Sequence, residues 1–456
     1  MWTLRSFTGV LLSGVLLFTA LRSEDALTQH HVTWAFDREV QTGSFVNGDC
    51  WVVGPVNVVA ISNDLNDPAY TPRAGQNGSM VNPKPMRKQG YTSDHRSYDE
   101  SLNAGRPGGR ELSTENPLQL KPGQSLISSI SWMYNSPEDR EPGAPKWVPT
   151  HKTLRPPTRS ASVLTCVAAP PPPGSFRPGY CGENPETYFN ISQLRKDLLP
   201  GLDPVKPFPP LHRIDGIMRR PWLDHFPGWG GEVIHPSENM PVYGREMASD
   251  MNLMSLVVLM DVKELPGDLD LDDLLIRLVQ YGIDLTSIAD AGGDWEPDGC
   301  MMVGRKWPIL FTGLMLDDDH MKNVGQWETM FHEDAQTFYV SQAEVDLTHS
   351  DKWSPDKRVP NAPYTAEDIG MAEWGIRHAT RPVQDNNVWK TSYRNGNYAV
   401  NTGFVLAARI MKQQQAWNHD ALFDYTDRAM ERVGEDNRQG PNFIPLYVKA
   451  MWKGYR

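Results

Sequence analysis

Cysteine is scarce in this 456-residue chain: Cys50, Cys166, Cys181 and Cys300 are all it has. Four cysteines in a chain this long make no disulfide scaffold, and none stands with a histidine at a spacing that resembles a zinc site. Basic charge is also short. Lys and Arg number 44 against 56 Asp and Glu, a formal net charge of −12. With no basic stripe in the sequence, a general nucleic-acid binder is excluded. Beyond the N-terminus no apolar run approaches the ~18 residues that a membrane helix needs. The glycine-containing loops match neither the P-loop nor the dinucleotide fingerprint. No metal and no cofactor is expected from this inventory.

What the chain does have is proline, tryptophan and tyrosine: 38, 15 and 15 residues. Aromatic excess is a first sign of a groove that stacks on something. At the N-terminus Arg5 precedes an apolar run from Phe7 to Ala20. That run is short for a bilayer span and reads as a secretory signal, with cleavage expected between Ala20 and Ala26; an uncleaved anchor is the alternative. A secreted or periplasmic chain follows, with no membrane partner once the signal is gone. In an oxidising compartment Cys166 and Cys181, 15 residues apart, either pair or stay thiols. Pairing would close a loop worth roughly 3 kcal/mol.

Three regions follow the signal (residues 1–26). Residues 27–141 are β- and loop-rich: Val32 to Phe36, Trp51 to Ile61 and Ser125 to Tyr134 are β-branched or aromatic runs, punctuated by Asn47-Gly48 and Pro122-Gly123. Asn63 to Glu115 is polar and is expected to form long loops. Residues 142–221 hold 16 of the 38 prolines between Pro142 and Pro210, although Ala161 to Ala169 reads as a strand. Proline fixes φ and removes a donor, so an extended surface connector is expected there. Residues 222–456 read as helical. Gly244 to Val262 and Leu271 to Ile288 carry apolar residues at helical spacing, and Arg305 to Leu316 has Pro308 in a first turn, where proline is tolerated. Asn401 to Lys412, Ala421 to Val433 and Phe443 to Trp452 complete the series. The fold expected is mainly α: an α/α toroid, an incomplete barrel of helical hairpins, behind a β-rich N-terminal part. A generic helical bundle fits the same pattern.

Polar clusters interrupt these helices. His235 to Glu246 contains Glu238, Asn239, Tyr243 and Arg245 ahead of an apolar helix, where free N–H groups favour anions or merely cap. Arg305 and Lys306 are adjacent cations at a helix start, against the dipole, so a compensating anion is required. Either a ligand or a carboxylate such as Asp294 or Glu296 supplies it. A third cluster joins Glu373 to His378 with Tyr393, Arg394 and Tyr398; a cation beside a phenol lowers its pKa and makes a base of it. Glu333, Asp334 and Tyr339 read as a helix start, and Asn418-His419-Asp420 as an N-cap.

Several stretches resemble a group of secreted bacterial carbohydrate-active proteins related to the alginate and polyglucuronate lyases, polysaccharide lyase family thirty-eight. They are Phe45 to Pro55, Pro227-Gly228-Trp229, His235 to Glu246, Gly304 to Leu310, Tyr364 to Thr380 and Ala416 to Arg428. One departure is plain: the family leads one to expect a Gly- and His-rich loop before Gly304, whereas this chain has Cys300-Met301-Met302-Val303. The resemblance implies a toroid whose groove cleaves an anionic polysaccharide by β-elimination. The proton α to a uronate carboxylate becomes acidic once that charge is neutralised. Arg394 or Arg245 with Asn239 would neutralise it, and Tyr393, Tyr398, His235 or His378 would act as base or acid. Glu238, Tyr243, Arg305 and Lys306 join the expected substrate contacts. Trp229, Trp295 and Trp307 would be stacking platforms, or else core. Two other functions compete. A glycoside hydrolase needs paired carboxylates, for which Glu238, Glu246, Asp294, Glu296 and Asp298 are available. A non-catalytic glycan-binding surface protein needs none.

Overall fold

The computed structural model describes residues 22–63, 78–85, 112–131, 158–182, 188–209, 211–224, 244–261, 270–295, 297, 302–351, 363–375, 392–435 and 444–456. The N-terminal part is a large curled, mixed β-sheet, half of a barrel. Its strands are β1 (Arg22–Gln29), β2 (Val32–Ser44), β3 (Cys50–Val53), β4 (Val56–Asn63), β5 (Gly78–Val81), β6 (Leu118–Leu120), β7 (Gln124–Ser131) and β8 (Thr158–Val167). The order across the sheet is β5-β7-β8-β3-β2-β4-β6, with β1 also on β2. All pairings are antiparallel except β3 with β8.

Period-two alternation explains how one sheet serves two cores. In β2, Val32, Trp34 and Phe36 face inward. In β7 and β8 successive residues divide. Leu126, Leu164 and Cys166 join Trp34 and Val58 inside the curl. Ile127, Ala161 and Val163 point the other way, into a large core that continues through the helices. The sheet and the helical part are therefore joined by a shared apolar interior.

The helical part runs α1 (Leu211–Met218), α2 (Gly244–Val257), α3 (Leu271–Asp290), α4 (Lys306–Leu316), α5 (Asp319–Lys322), α6 (His332–Gln336), β9 (Thr337–Tyr339), α7 (Gln342–Thr348), β10 (Ala372–Trp374), α8 (Ser392–Ile410), α9 (Gln414–Trp417), α10 (Asp420–Glu435) and α11 (Leu446–Tyr455). Asp270 caps α3, its carboxylate accepting from the Asp272 N–H at 3.0 Å. Along α3, Leu274, Leu278, Tyr281 and Leu285 bury one stripe. Helix α4 is buried almost all round. It approaches α3 so closely that a Cβ on Gly282 would run into Thr312 and the Pro308 carbonyl. Helices α2 and α8 touch in the same manner, where Asn252 accepts from the Gly403 N–H at 2.9 Å. Strands β9 and β10 make a separate antiparallel pair.

Two expectations are corrected. The chain is not a mainly α toroid: of the described residues 41% are helix and 22% strand, and the strands build the large half-barrel. Among the described residues the long helices alternate with short ones and with the β9–β10 pair, so a repeating series of hairpins is not present. Two described parts of the proline-rich stretch do not behave as a surface connector. Strand β8 lies within it, hydrogen-bonded on both sides, and Phe176, Arg177, Tyr180 and Cys181 are buried. Cys50, Cys166 and Cys181 are free and buried, so Cys166 and Cys181 do not pair. Burial pushes the Cys50 and Cys181 thiols up to about 12, which leaves them unreactive. The apolar leader lies outside the described residues, but the expected cleavage window runs into β1, which pairs with β2 from Arg22 onward. Among the described residues no helix is long and apolar enough to cross a membrane.

One ion pair ties sheet to helices. Arg177 is 1% exposed. Its Nε donates to Asp49, just before β3, at 2.5 Å, and its two terminal nitrogens donate to Asp284 of α3 at 2.8 and 2.7 Å. Burial raises Asp284 to about 6 against the pull of Arg177. Removing the guanidinium strands two buried carboxylates. Arg177→Met is expected to cost about 3–5 kcal/mol in denaturant unfolding, and sheet and helices are expected to melt in one transition. A loss below about 1 kcal/mol would show that the pair is not the link.

Candidate functional site

The two cations at the start of α4 are compensated from within the chain. Arg305 donates to Asp224 at 2.9 Å and to the Val303 carbonyl at 2.8 Å, and Tyr281 holds the other Asp224 oxygen at 2.5 Å. Lys306 donates to Asp334 at 2.5 Å and to the Trp417 carbonyl at 2.7 Å. The ammonium also lies over the Phe331 and Trp417 rings. The helix N–H groups are met by Glu333, whose oxygens accept from Gly304 and Lys306, both at 3.3 Å. So the required anions are Asp224 and Asp334, with Glu333 as acceptor for the backbone N–H groups. Asp294 instead accepts from the Met330 N–H, and Glu296 and Asp298 lie outside the described residues.

This burial corrects four expected substrate contacts. Arg305 is 1% exposed, Lys306 3%, and Trp295 and Trp307 are fully enclosed. Trp295 stacks on Phe331 and Trp307 tilts against Phe311, inside the core. None of the four is placed to touch a polymer. Trp229, His235, Glu238, Asn239, Tyr243 and His378 lie outside the described residues. Arg245 falls in the first turn of α2; Tyr393 and Arg394 fall in the first turn of α8, and Tyr398 in its second. Only the backbone of these four residues is described.

Among the described residues two concavities stand out. The first lies at the junction of sheet and helices and is lined by Asn47, Asp49, Arg177, residues 218–222, Arg277, Gln280, Tyr281 and Asp284. Its interior of about 20 Å³ holds on the order of one water. Its polar groups are largely spoken for: Asn47 on Asp49, Gln280 on the Arg177 backbone, Tyr281 on Asp224, and Arg219 and Arg277 on Asp215. His30, nearby, is lowered to about 4 by burial and by Arg220, so it is neutral at physiological pH. This cleft is a structural junction.

The second is an open groove of about 470 Å³ between β9 and the corner joining α9 to α10, a size common for ligand sites. Thr337, Phe338 and Tyr339 form one wall; Gln414, Gln415, Asn418, His419, Asp420 and Ala421 form the other. The walls are tied together. The Thr337 hydroxyl meets His419 Nε2 at 2.8 Å, and the Tyr339 hydroxyl donates to Asp424 at 2.5 Å. Beneath them Asp334 accepts from the Trp417 indole at 2.8 Å while holding Lys306. The corner itself is set by Asn418 in the left-handed region at φ 61°, its side chain donating to the Gly325 carbonyl at 2.9 Å. Burial and the bond to Asp424 push the Tyr339 phenol well above its ordinary range. It is thus a hydrogen-bonding ring at neutral pH, not a base. Among the described residues, no group of three or more metal-ligating side chains is present.

The groove gathers residues that sequence reading had separated. In sequence Tyr339 groups with Glu333 and Asp334 as a helix start and Asn418-His419-Asp420 reads as a cap, while nothing marks Gln414 and Gln415. The available signal was the spacing of Asp420 and Asp424, one turn apart on one helix face. No family model, no curated protein and no solved structure matches the chain.

Glu333 generates a pH prediction. It is wholly buried, and burial with Asp334 beside it raises it from 4.5 to about 7. A folded pKa above the unfolded one favours folding below the unfolded value, and that advantage is lost as pH rises through the folded value. Wild type should therefore lose stability between pH 4.5 and about 7, by up to about 3 kcal/mol relative to Glu333→Gln. Parallel stability–pH curves for the two proteins would refute this assignment.

Proposed function

We propose that the protein is an exported carbohydrate-binding protein that holds a glycan chain in the groove between β9 and the α9–α10 corner. The observation that carries this reading is the lining of that groove. A sugar chain presents hydroxyls that donate and accept, and C–H faces that rest on aromatic rings. Gln414, Gln415 and Asn418 offer amides, Asp420 offers acceptors, and Tyr339 offers ring surface. Tyr339 is 41% exposed, so its ring is available. Export rests on the apolar leader from Phe7 to Ala20.

Polyuronate cleavage by β-elimination is the second reading. It is favoured by the placement of Arg245, Tyr393 and Arg394 in the first turns of α2 and α8, two helices that touch.

Affinity electrophoresis against soluble neutral and acidic polysaccharides, with ultraviolet absorbance and reducing ends recorded in parallel, tests both. Retardation without new reducing ends is expected. The double substitution Tyr339→Ala, Gln415→Ala should weaken it about tenfold, the scale of losing an aromatic anchor. Absence of retardation by every polysaccharide would sink the binding reading. Unsaturated chromophore from alginate or glucuronan would establish the lyase in its place.

A further inference from the structure

The groove has a charge of one sign. Asp420 opens α10 and Asp424 follows one turn later on the same face, both exposed. Each is engaged by a neutral group alone: Gln414 Nε2 donates to Asp420 Oδ1 at 2.8 Å, and Tyr339 donates to Asp424 Oδ2 at 2.5 Å. Among the described residues neither carboxylate has an ion-pair partner. The cations along this face are engaged elsewhere: Arg428, one turn beyond Asp424, donates to the Ala372 carbonyl at 2.7 Å and lies 3.7 Å from Glu373, and Arg409 and Arg456 hold Asp427 at 2.6 and 2.7 Å. Among the described residues the groove wall contains no Lys or Arg. Two carboxylates on adjacent turns repel each other, and Arg409 and Arg456 act on Asp424 from their places on Asp427 and not from the groove wall.

A polyuronate carries a carboxylate on every sugar. Laid along this wall it would bring like charges together and find no cation to pair with. An uncharged chain would meet the same carboxylates as hydrogen-bond acceptors for its hydroxyls. We propose that the groove selects uncharged glycan chains and turns polyuronates away, with Asp420 and Asp424 as the residues that set the choice. The proposal rests on the glycan-binding reading. It reverses the substrate class implied by the sequence resemblance, because specificity here comes from an unmatched charge facing the wrong partner.

The test compares dissociation constants for the full chain with neutral polysaccharides (β-glucan, xyloglucan, galactomannan, dextran) and with alginate and glucuronan. At low salt the best neutral chain should bind at least about tenfold more tightly than either polyuronate. Raising the salt should narrow that gap, since screening weakens repulsion between exposed charges. The double substitution Asp420→Asn, Asp424→Asn should raise the ratio of alginate to neutral affinity about tenfold. The salt series uses wild type alone and stands even if the variant folds poorly. Alginate binding as tight as the best neutral chain would overturn the selectivity and leave the glycan groove intact. A gap that widens with salt would also overturn it. No binding by any polysaccharide would overturn both.

Discussion

A buried guanidinium pins together two unlike halves of this molecule beside the apolar interior that they share. Arg177 sits between Asp49 of the sheet and Asp284 of α3, with two carboxylates on one cation and its own backbone clasped by Gln280. Arg is suited to the place because its planar fork meets Asp284 with two nitrogens while its Nε is free for Asp49. The arrangement costs desolvation and repays it in geometry: the loop after β2, the proline-rich segment and α3 are fixed relative to one another. The small cleft beside it is a by-product of that junction, and its polar groups are mostly used in building it.

The same logic recurs at the start of α4. A helix beginning with Arg and Lys is electrostatically unfavourable in isolation. Here the unfavourable end is buried and surrounded by Asp224, Glu333 and Asp334. Asp334 then reaches Trp417, and Thr337 reaches His419, so the compensation of a helix end also sets the distance between the walls of the groove. The groove is open at its surface and rigidly founded below, which suits a polymer that lies across a wall.

Local pattern carried much of the helical part. The stripe of Leu274, Leu278 and Leu285 and the Pro308 first turn mark α3 and α4 where they occur, because helical periodicity is a property of neighbouring residues. The strand runs around Trp34, Trp51 and Ile127 were likewise legible. What was not legible is pairing at long separation. Nothing near Thr158 announces that β8 will lie parallel to β3, and nothing near Arg305 announces Asp224, 81 residues away. Aromatic residues misled for a related reason: Trp295 and Trp307 have the chemistry of sugar platforms, but burial decides their role and burial is a tertiary property. Asn418 to Asp420 was legible as a corner and not as a wall, since its opposite wall, Thr337 to Tyr339, comes some 80 residues earlier.

The proposed glycan site is one place, β9 and the α9–α10 corner. Hydrogen–deuterium exchange on the full chain, with and without the neutral polysaccharide that retards it most, reads that place directly. Protection on binding should concentrate in residues 337–339 and 414–421, the two walls. Protection confined instead to residues 229–246 or 376–398, the stretches around His235 and Tyr393, would contradict the account and return the site to the helix starts that the sequence resemblance favours.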